Sequence, residues 1–376
     1  MRVELVGLLA CPGCHGKLEL HATSMQEDQV IEGALHCARC RTEYPIRQAI
    51  PRFVADAAYA QSFSFEWKRW RRTQFDTDSH QPSLTTFIAS TGRRPADLAG
   101  KTVLEAGCGA GRYMDLLARE GAEVIGIDLS QAIEVAQENL GHLPNCHFIQ
   151  GDLTRPPFRQ ESFDFIYSIG VLHHTPSTHA AFQALVPLIK PGGEIAAWVY
   201  ALRRLSETFE RFPDRVNEVL GLDSNFTIPL ARQALVRRLA KTMDHVMETS
   251  NRMQRAVTTR LPSRWLYGLC HAAIPLYYVY RLPVFYPLRL VTKVAVTPDP
   301  EWRVLDTFDW YSPKYQWKHT YAEVEAWFRN AGLEQITVLP RPVAVRGQKP
   351  LPNVACDSGS KGASDRSRNA RMSNNQ

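Results

Sequence analysis

No apolar run in this sequence is built to cross a bilayer. A spanning helix takes about 20 apolar residues, and the uncharged stretch Trp265–Tyr280 (WLYGLCHAAIPLYYVY) stops at 16 with a proline inside it. The opening MRVELVGLLACPGC has no signal-peptide layout, because Glu4 breaks the apolar run and a cysteine pair follows directly. The eight cysteines are not spread as a disulfide framework. Four sit in two C-x-x-C pairs near the start and four are scattered singly, which points to a reducing compartment, the cytoplasm, and to a metal. Neither sign of charge dominates. Lys and Arg number 44 against 38 Asp and Glu, a formal +6 that permits an acidic partner without requiring one. There is no internal repeat. What remains is ordinary globular composition, 44% hydrophobic and 22% charged.

The chain divides by pattern. Residues 1–54 read as a small Cys-rich unit, and 55–100 as a connector and lid rich in aromatics and arginines (SFSFEWKRWRRTQFD). Residues 101–200 alternate short apolar runs with amphipathic stretches. Strands are expected at Thr102–Glu105, Val124–Ile127, His147–Gln150, Phe163–Ser168 and Glu194–Tyr200, with helices between them. That alternation implies an α/β fold with a parallel sheet and right-handed crossovers. Residues 201–319 form a basic helical insertion and lid, and the α/β pattern resumes at 320–346. There Thr320-Tyr-Ala-Glu323 reads as a capping box, and Gly332 as a helix stop before strands near Glu334–Leu339 and Pro342–Arg346. The Gly-, Ser- and Asn-rich tail 347–376 is expected to be disordered.

The central motif is Val103-Leu-Glu-Ala-Gly-Cys-Gly-Ala-Gly-Arg112. An apolar strand ends in an acidic residue and turns through Gly107, Gly109 and Gly111 into a helix, as a backbone must where a ligand approaches main-chain atoms. The next strand ends in Asp128, placed to accept from ribose hydroxyls, and the third in Gly151-Asp152, placed to meet an adenine amino group. A nicotinamide cofactor fits less well. The G-C-G-A-G spacing lacks the further glycine of dinucleotide binders. An acidic strand end also suits an ammonium group better than a pyrophosphate.

Taken in order, V-L-E-x-G-C-G-x-G-R, I-D-L-S, G-D, F-D-x-x-x-S-x-x-V-L-H-H and L-K-P-G-G resemble the class I methyltransferases. The likeness is greatest to the branch containing quinone-biosynthesis and small-molecule enzymes. It covers roughly residues 101–200 and resumes at 320–346. It implies a Rossmann-like sheet and S-adenosylmethionine as cofactor. By this resemblance Glu105 and the loop Gly107, Cys108, Gly109 and Gly111, with Arg112, face the methionine part. Asp128 and Leu129 hold the ribose, Asp152 and Leu153 flank the adenine, and Ser168 lies beside the transferred methyl.

Cys11-Pro-Gly-Cys14 and Cys37-Ala-Arg-Cys40 are two knuckles with 22 residues between them. Four thiolates so spaced can close a tetrahedral zinc shell with no open position, which is a structural site. With L-L-A-C-P-x-C and Tyr44–Pro51, the unit resembles the zinc-ribbon activator proteins of tRNA and translation-factor methyltransferases, here covalently attached. Its role is either to dock a substrate or partner, or to cap and stabilise the catalytic domain.

Methyl transfer is an in-line displacement, so the protein supplies positioning and, where needed, a base. The fourth strand lacks N/D-P-P-Y and Pro-Cys motifs, which argues against base amines and pyrimidine carbon-5 as acceptors. His173 and His174 are the nearest candidate bases, or else a structural cap on the strand end. Tyr311, Tyr315 and His319 could orient or deprotonate an acceptor, or simply pack an aromatic lid. Phe63, Phe65 and Trp67 are expected to close over the cofactor, and Arg69, Arg71 and Arg72 to form a solvated face. The insertion from Leu202 to Pro300 carries 15 basic and 8 acidic residues, with Arg264, Arg281 and Arg289 beside apolar runs. It is read either as a peripheral membrane contact or pocket wall, or as a subdomain burying its own core. Three functions stand. The first is methylation, foremost at oxygen, of a small-molecule or lipid-like acceptor. The second is methylation of RNA, against which stands the lack of a Lys/Arg stripe interleaved with aromatics outside the connector. The third is a non-catalytic cofactor-binding partner protein.

Overall fold

The structure is a computed structural model. It describes residues 1–54, 58–202, 230–282, 285, 294–295 and 297–352. Arg289, the first part of the expected insertion from 203 to 229, and the tail from 353 lie outside the described residues.

A seven-stranded sheet forms the centre. Its strands are β5 (Thr102–Ala106), β6 (Glu123–Asp128), β7 (Cys146–Gln150), β8 (Phe163–Ile169), β9 (Ile189–Trp198), β10 (Glu334–Val338) and β11 (Ala344–Gln348). Their order is β10-β11-β9-β8-β5-β6-β7. The five strands from β5 to β9 pair in parallel, and β11 runs antiparallel to both neighbours. Parallel strands covered on both faces must be apolar nearly throughout. In β8, FDFIYSI, every residue but Asp164 is buried. The strand order reverses between β5 and β8, and such a switch point opens a crevice at the carboxyl ends of the strands.

Helices α1 (Gln61–Arg69), α2 (Pro82–Thr91), α3 (Arg112–Arg119), α4 (Ala132–Leu140) and α5 (Thr178–Leu185) belong to the lid and the crossovers. Past β9 come α6 (Leu230–Thr258), α7 (Ser263–Cys270), α8 (Ala273–Val279), α9 (Pro300–Tyr311) and α10 (Tyr321–Asn330). Thr320 caps α10 by accepting from Glu323 N at 3.3 Å, while Glu323 Oε1 meets His319 Nδ1 at 2.9 Å. Among the described residues no helix is long and apolar enough to cross a membrane. The stretch Trp265–Tyr280 breaks into α7 and α8 and is two-sided. Leu266, Cys270, Ala273 and Tyr280 are buried, while Trp265, Leu269 and Tyr278 are exposed.

The N-terminal unit is an antiparallel sheet of β1 (Leu18–Gln26), β2 (Gln29–Cys37), β3 (Glu43–Arg47) and β4 (Ile50–Pro51). It is fused to the large sheet. Arg52 bridges Gln150 in parallel just after β4, and Phe53 N donates to Gln150 O at 2.8 Å. Ala10 N donates to Pro157 O at 3.0 Å, and Arg159 N to Leu8 O at 2.9 Å. Leu5, Leu9 and Leu35 share one apolar cluster with Leu153 and Phe158. The small unit therefore covers the outer edge at β7, where an uncovered strand would present unpaired backbone groups.

Candidate active site and cysteine cluster

A cavity of about 470 Å³ opens at the switch point. The turn after β5 forms its floor. Gly107 has φ +88°, and a Cβ there would come within 2.3 Å of Val171, so only glycine fits. Glu105, at the end of β5, lines the cavity and is 2% exposed. Its Oε2 accepts from Tyr167 Oη at 2.9 Å. Burial pushes its pKa up to about 8, against the opposing pull of Tyr167 and Arg112. At the end of β6, Asp128 accepts from Gly109 N at 3.0 Å through Oδ2, and from Ser130 N and Oγ through Oδ1. Burial raises its pKa even against these three donors.

Cys108, Gly109, Arg112, Leu129 and Leu153 lie on the same cavity wall as Glu105, Gly107 and Asp128. Gly111 sits behind it as the N-cap of α3, with φ +88°. Asp152 and Ser168 are outside the lining. Asp152 Oδ1 accepts from Thr154 N and Oγ1 at 2.8 Å, and the Ser168 hydroxyl donates to Ala106 O at 2.8 Å. Of the lid aromatics, Phe63 and Trp67 line the cavity. Phe65 turns instead to Phe308, with ring centroids 5.5 Å apart. Arg69 reaches Tyr267 Oη, and Arg71 pairs with Glu138.

The candidate bases separate. His174 lines the cavity. Its Nδ1 lies 2.8 Å from Tyr315 O, which can only accept, so Nδ1 carries the proton. Nε2 then holds a lone pair, and it is buried without a hydrogen-bond partner. Burial lowers the His174 pKa, with Asp309 pulling the other way. His173 is fully buried off the cavity and accepts from Tyr200 N at 3.3 Å, its ring 3.8 Å from that of Tyr200. Burial drives its pKa well down. His319 ties α10 to α5, its Nε2 standing 2.9 Å from Thr178 Oγ1. Tyr315 packs on Tyr59, and the Tyr311 carbonyl accepts from Thr258 Oγ1.

The four cysteine sulfurs converge. All lie within 4.8 Å of one another, with Cys11–Cys40 at 3.6 Å and Cys14–Cys37 at 3.4 Å. Tetrahedral zinc–sulfur bonds of about 2.3 Å set sulfurs about 3.8 Å apart, so the cluster fits that ion. Gly16 keeps the cradle open, because a Cβ there would stand 2.9 Å from Cys37 Sγ.

Residues 104–197 match the family described as "Methyltransferase domain". The chain carries a methyltransferase domain. It is of the class I, S-adenosylmethionine-dependent kind, and residues 3–48 match the family described as "Trm112p-like protein", the zinc-ribbon-like region with the four cysteines. Curated relatives are similar to about a third of the chain. The sterol 24-C-methyltransferase of Pneumocystis carinii is 31% identical over 135 residues, 35% of each chain. The ubiquinone biosynthesis O-methyltransferase of Albidiferax ferrireducens is 36% identical over 118 residues, 30% of this chain and 45% of the relative. The phthiotriol/phenolphthiotriol dimycocerosates methyltransferase of Mycobacterium tuberculosis is 34% identical over 129 residues, 30% of this chain and 48% of the relative. The chain thus spans less than half the length of each of these three.

Several residues of the methyltransferase cavity escape the sequence motifs. Glu66 on α1, Asp306 and Asp309 on α9, Tyr200 and Arg341 all line it. Glu66 is 2% exposed with Oε2 unpartnered, and burial beside Asp309 and Asp306 raises its pKa well above the usual range. Asp306 is pushed up to about 7 by burial and by Asp309. Tyr200 Oη donates to Asp309 Oδ2 at 2.7 Å. The available signal was Asp306 and Asp309 at i, i+3, on one face of a helix that also carries Trp302, Phe308, Trp310 and Tyr311.

Proposed function

We propose that the chain methylates an oxygen of a small or lipid-like biosynthetic metabolite, with His174 as the general base. S-adenosylmethionine, when bound, supplies the activated methyl group. In this reading Glu105 takes its ammonium group and Asp128 its ribose hydroxyls, while Leu129 and Leu153 lie against the nucleoside. Arg112, on the same wall, answers its carboxylate. The observation that carries the assignment of the base is the His174 tautomer. Nδ1–H is committed to Tyr315 O, which leaves the buried Nε2 with a lone pair and no partner, in a residue that lines the cavity together with Glu105 and Asp128. A lowered pKa keeps the imidazole neutral at neutral pH, ready to receive the hydroxyl proton as the oxygen–carbon bond forms and the carbon–sulfur bond breaks. Asp309 favours the imidazolium that results.

The names of the relatives support the acceptor class. One is named for O-methylation in ubiquinone biosynthesis, and another for a sterol carbon, which makes carbon the alternative acceptor atom. In the same reading Cys11, Cys14, Cys37 and Cys40 hold one structural zinc ion. Incubation with labelled cofactor and a cell extract, sorted into lipid, RNA and protein fractions, tests the function. Label is expected in the organic-soluble fraction, and label only in RNA or protein would overturn the reading. His174→Gln should lower kcat by about 10²–10⁴ while cofactor affinity stays unchanged.

A further inference from the structure

We propose that the face formed by α6, α7 and α8 docks the protein on an anionic lipid bilayer; this rests on the reading of the acceptor as lipid-like. Along α6 the exposed apolar side chains are Leu239, Met243, Val246, Met253 and Val257. Their spacing of three, four and seven residues keeps them on one stripe of the helix. Trp265 on α7 is 70% exposed, Leu269 61%, and Tyr278 on α8 61%. A water-facing surface seldom carries so many large apolar groups on one element unless something covers them.

Charge selects the partner. From 238 to 282 there are seven Lys and Arg residues against Asp244 and Glu248; Arg255 turns inward to Trp310 O and Pro313 O, which leaves six cations on the outside, and Glu248 is paired with Arg252 at 3.2 Å. A basic face meeting its own copy across a two-fold axis sets like charges opposite each other, whereas anionic headgroups complement it.

The face also adjoins the cofactor site through side chains that line neighbouring spaces. A groove of about 540 Å³ lies beside the stripe, with Met253, Val257, Leu269 and Leu276 on its walls. It shares Tyr311 with a second space of about 530 Å³, which in turn shares Trp198, Tyr200, Trp310 and Arg341 with the cofactor cavity. Three spaces thus adjoin in series, from the exposed stripe to the wall bearing His174. Docking here brings an apolar acceptor to the outermost of these three spaces.

The test is flotation of the full chain with phosphatidylcholine vesicles, with and without phosphatidylglycerol, at low and high salt. Binding is expected to the mixed vesicles, weaker at high salt, and not to phosphatidylcholine alone. Trp265→Glu and Met253→Glu, both at exposed positions on separate helices, should each lower the partition coefficient by about tenfold or more. Their affinity for S-adenosylmethionine, read by calorimetry, should equal that of the wild type. Wild type that binds the cofactor but leaves both kinds of vesicle unbound overturns the proposal. So does a dimer in sedimentation that Trp265→Glu dissociates, which would make the face a contact between copies. Transfer of label to RNA or protein would refute the acceptor class instead, and vesicle partition is read independently of that result.

Discussion

On the proposed assignment, raising the pH from 6 to 8 should tighten cofactor binding by about tenfold or more, because Glu105 has to lose a proton to meet a cation. Its carboxyl is fully enclosed, has Tyr167 Oη as its side-chain donor, and titrates near 8 rather than at the ordinary 4.5. At pH 7 about a tenth of the unliganded protein then carries the charged form, and ionising the rest costs about 1.4 kcal/mol. An ammonium group beside it favours the charged form, so binding releases a proton. Apparent affinity climbs by up to about tenfold per pH unit below 8 and passes through a maximum there, because the α-amino group of the ligand, with an ordinary pKa of about 8, loses its charge above it. Calorimetry in buffers of different ionisation enthalpy reads both the affinity and the released proton. Glu105→Gln should bind more weakly at pH 8, with the rise between pH 6 and 8 gone. The same shift acts on stability with a definite sign. A carboxyl whose folded pKa is raised contributes its full share below about 4.5 and loses it as pH climbs through 8. The unliganded protein should therefore lose thermal stability across that window, and Glu105→Gln should flatten the loss. Affinity that is constant from pH 6 to 8 with no proton released, or a Gln variant that keeps the wild-type slope, refutes this reasoning.

Asp128→Ala should weaken S-adenosylmethionine binding by about 1.5–3 kcal/mol, the worth of charge-assisted hydrogen bonds to the ribose, and unchanged affinity in calorimetry would remove that assignment. Zinc analysis should find one ion per chain in the wild type and none in Cys37→Ser, which should also melt at a lower temperature. Equal zinc in both, or none in either, rejects the four-thiolate site. Phe158, 2% exposed where the N-terminal unit meets the large sheet, should cost about 3–5 kcal/mol when cut to alanine, read from the denaturant midpoint. An unmoved midpoint would mean that the junction is not packed as described.

The strands from β5 to β8 were legible because a buried parallel strand is a short apolar block bounded by turn residues, and VLEA, VIGID and FDFIYS stand out as such. The start of β9 was not. Lys190-Pro-Gly-Gly193 reads as a turn, yet the chain stays in the sheet there through an irregularity, with Gly192 at φ +77° and a register shift between Phe163 and Phe165. Gly107, Gly109 and Asp128, put at ligand-facing strand ends by motif order, line the cavity, while Gly111 sits behind it. The partition of His173 from His174 could not be read from the motifs, because it turns on where a carbonyl 141 residues away comes to rest. Glu66, Asp306 and Asp309 escaped for the same reason, each being an ordinary helical residue until α1 and α9 fold over the sheet. The uncharged stretch Trp265–Tyr280 left two readings open, and its helices bury one face and expose the other, so burial alone does not choose between them.

The attachment of β4 to the sheet edge changes how the two units know each other. Partners that meet by diffusion separate on dilution and compete with whatever else each can bind. Here Arg52 and Phe53 leave the small sheet and enter the large one within two residues, so the local concentration of one unit at the other far exceeds any a cell could supply for a free partner. Occupancy is therefore fixed at one to one, whatever the amount of protein made. The metal status of the small unit then becomes a property of each catalytic unit separately, with no shared pool to average it.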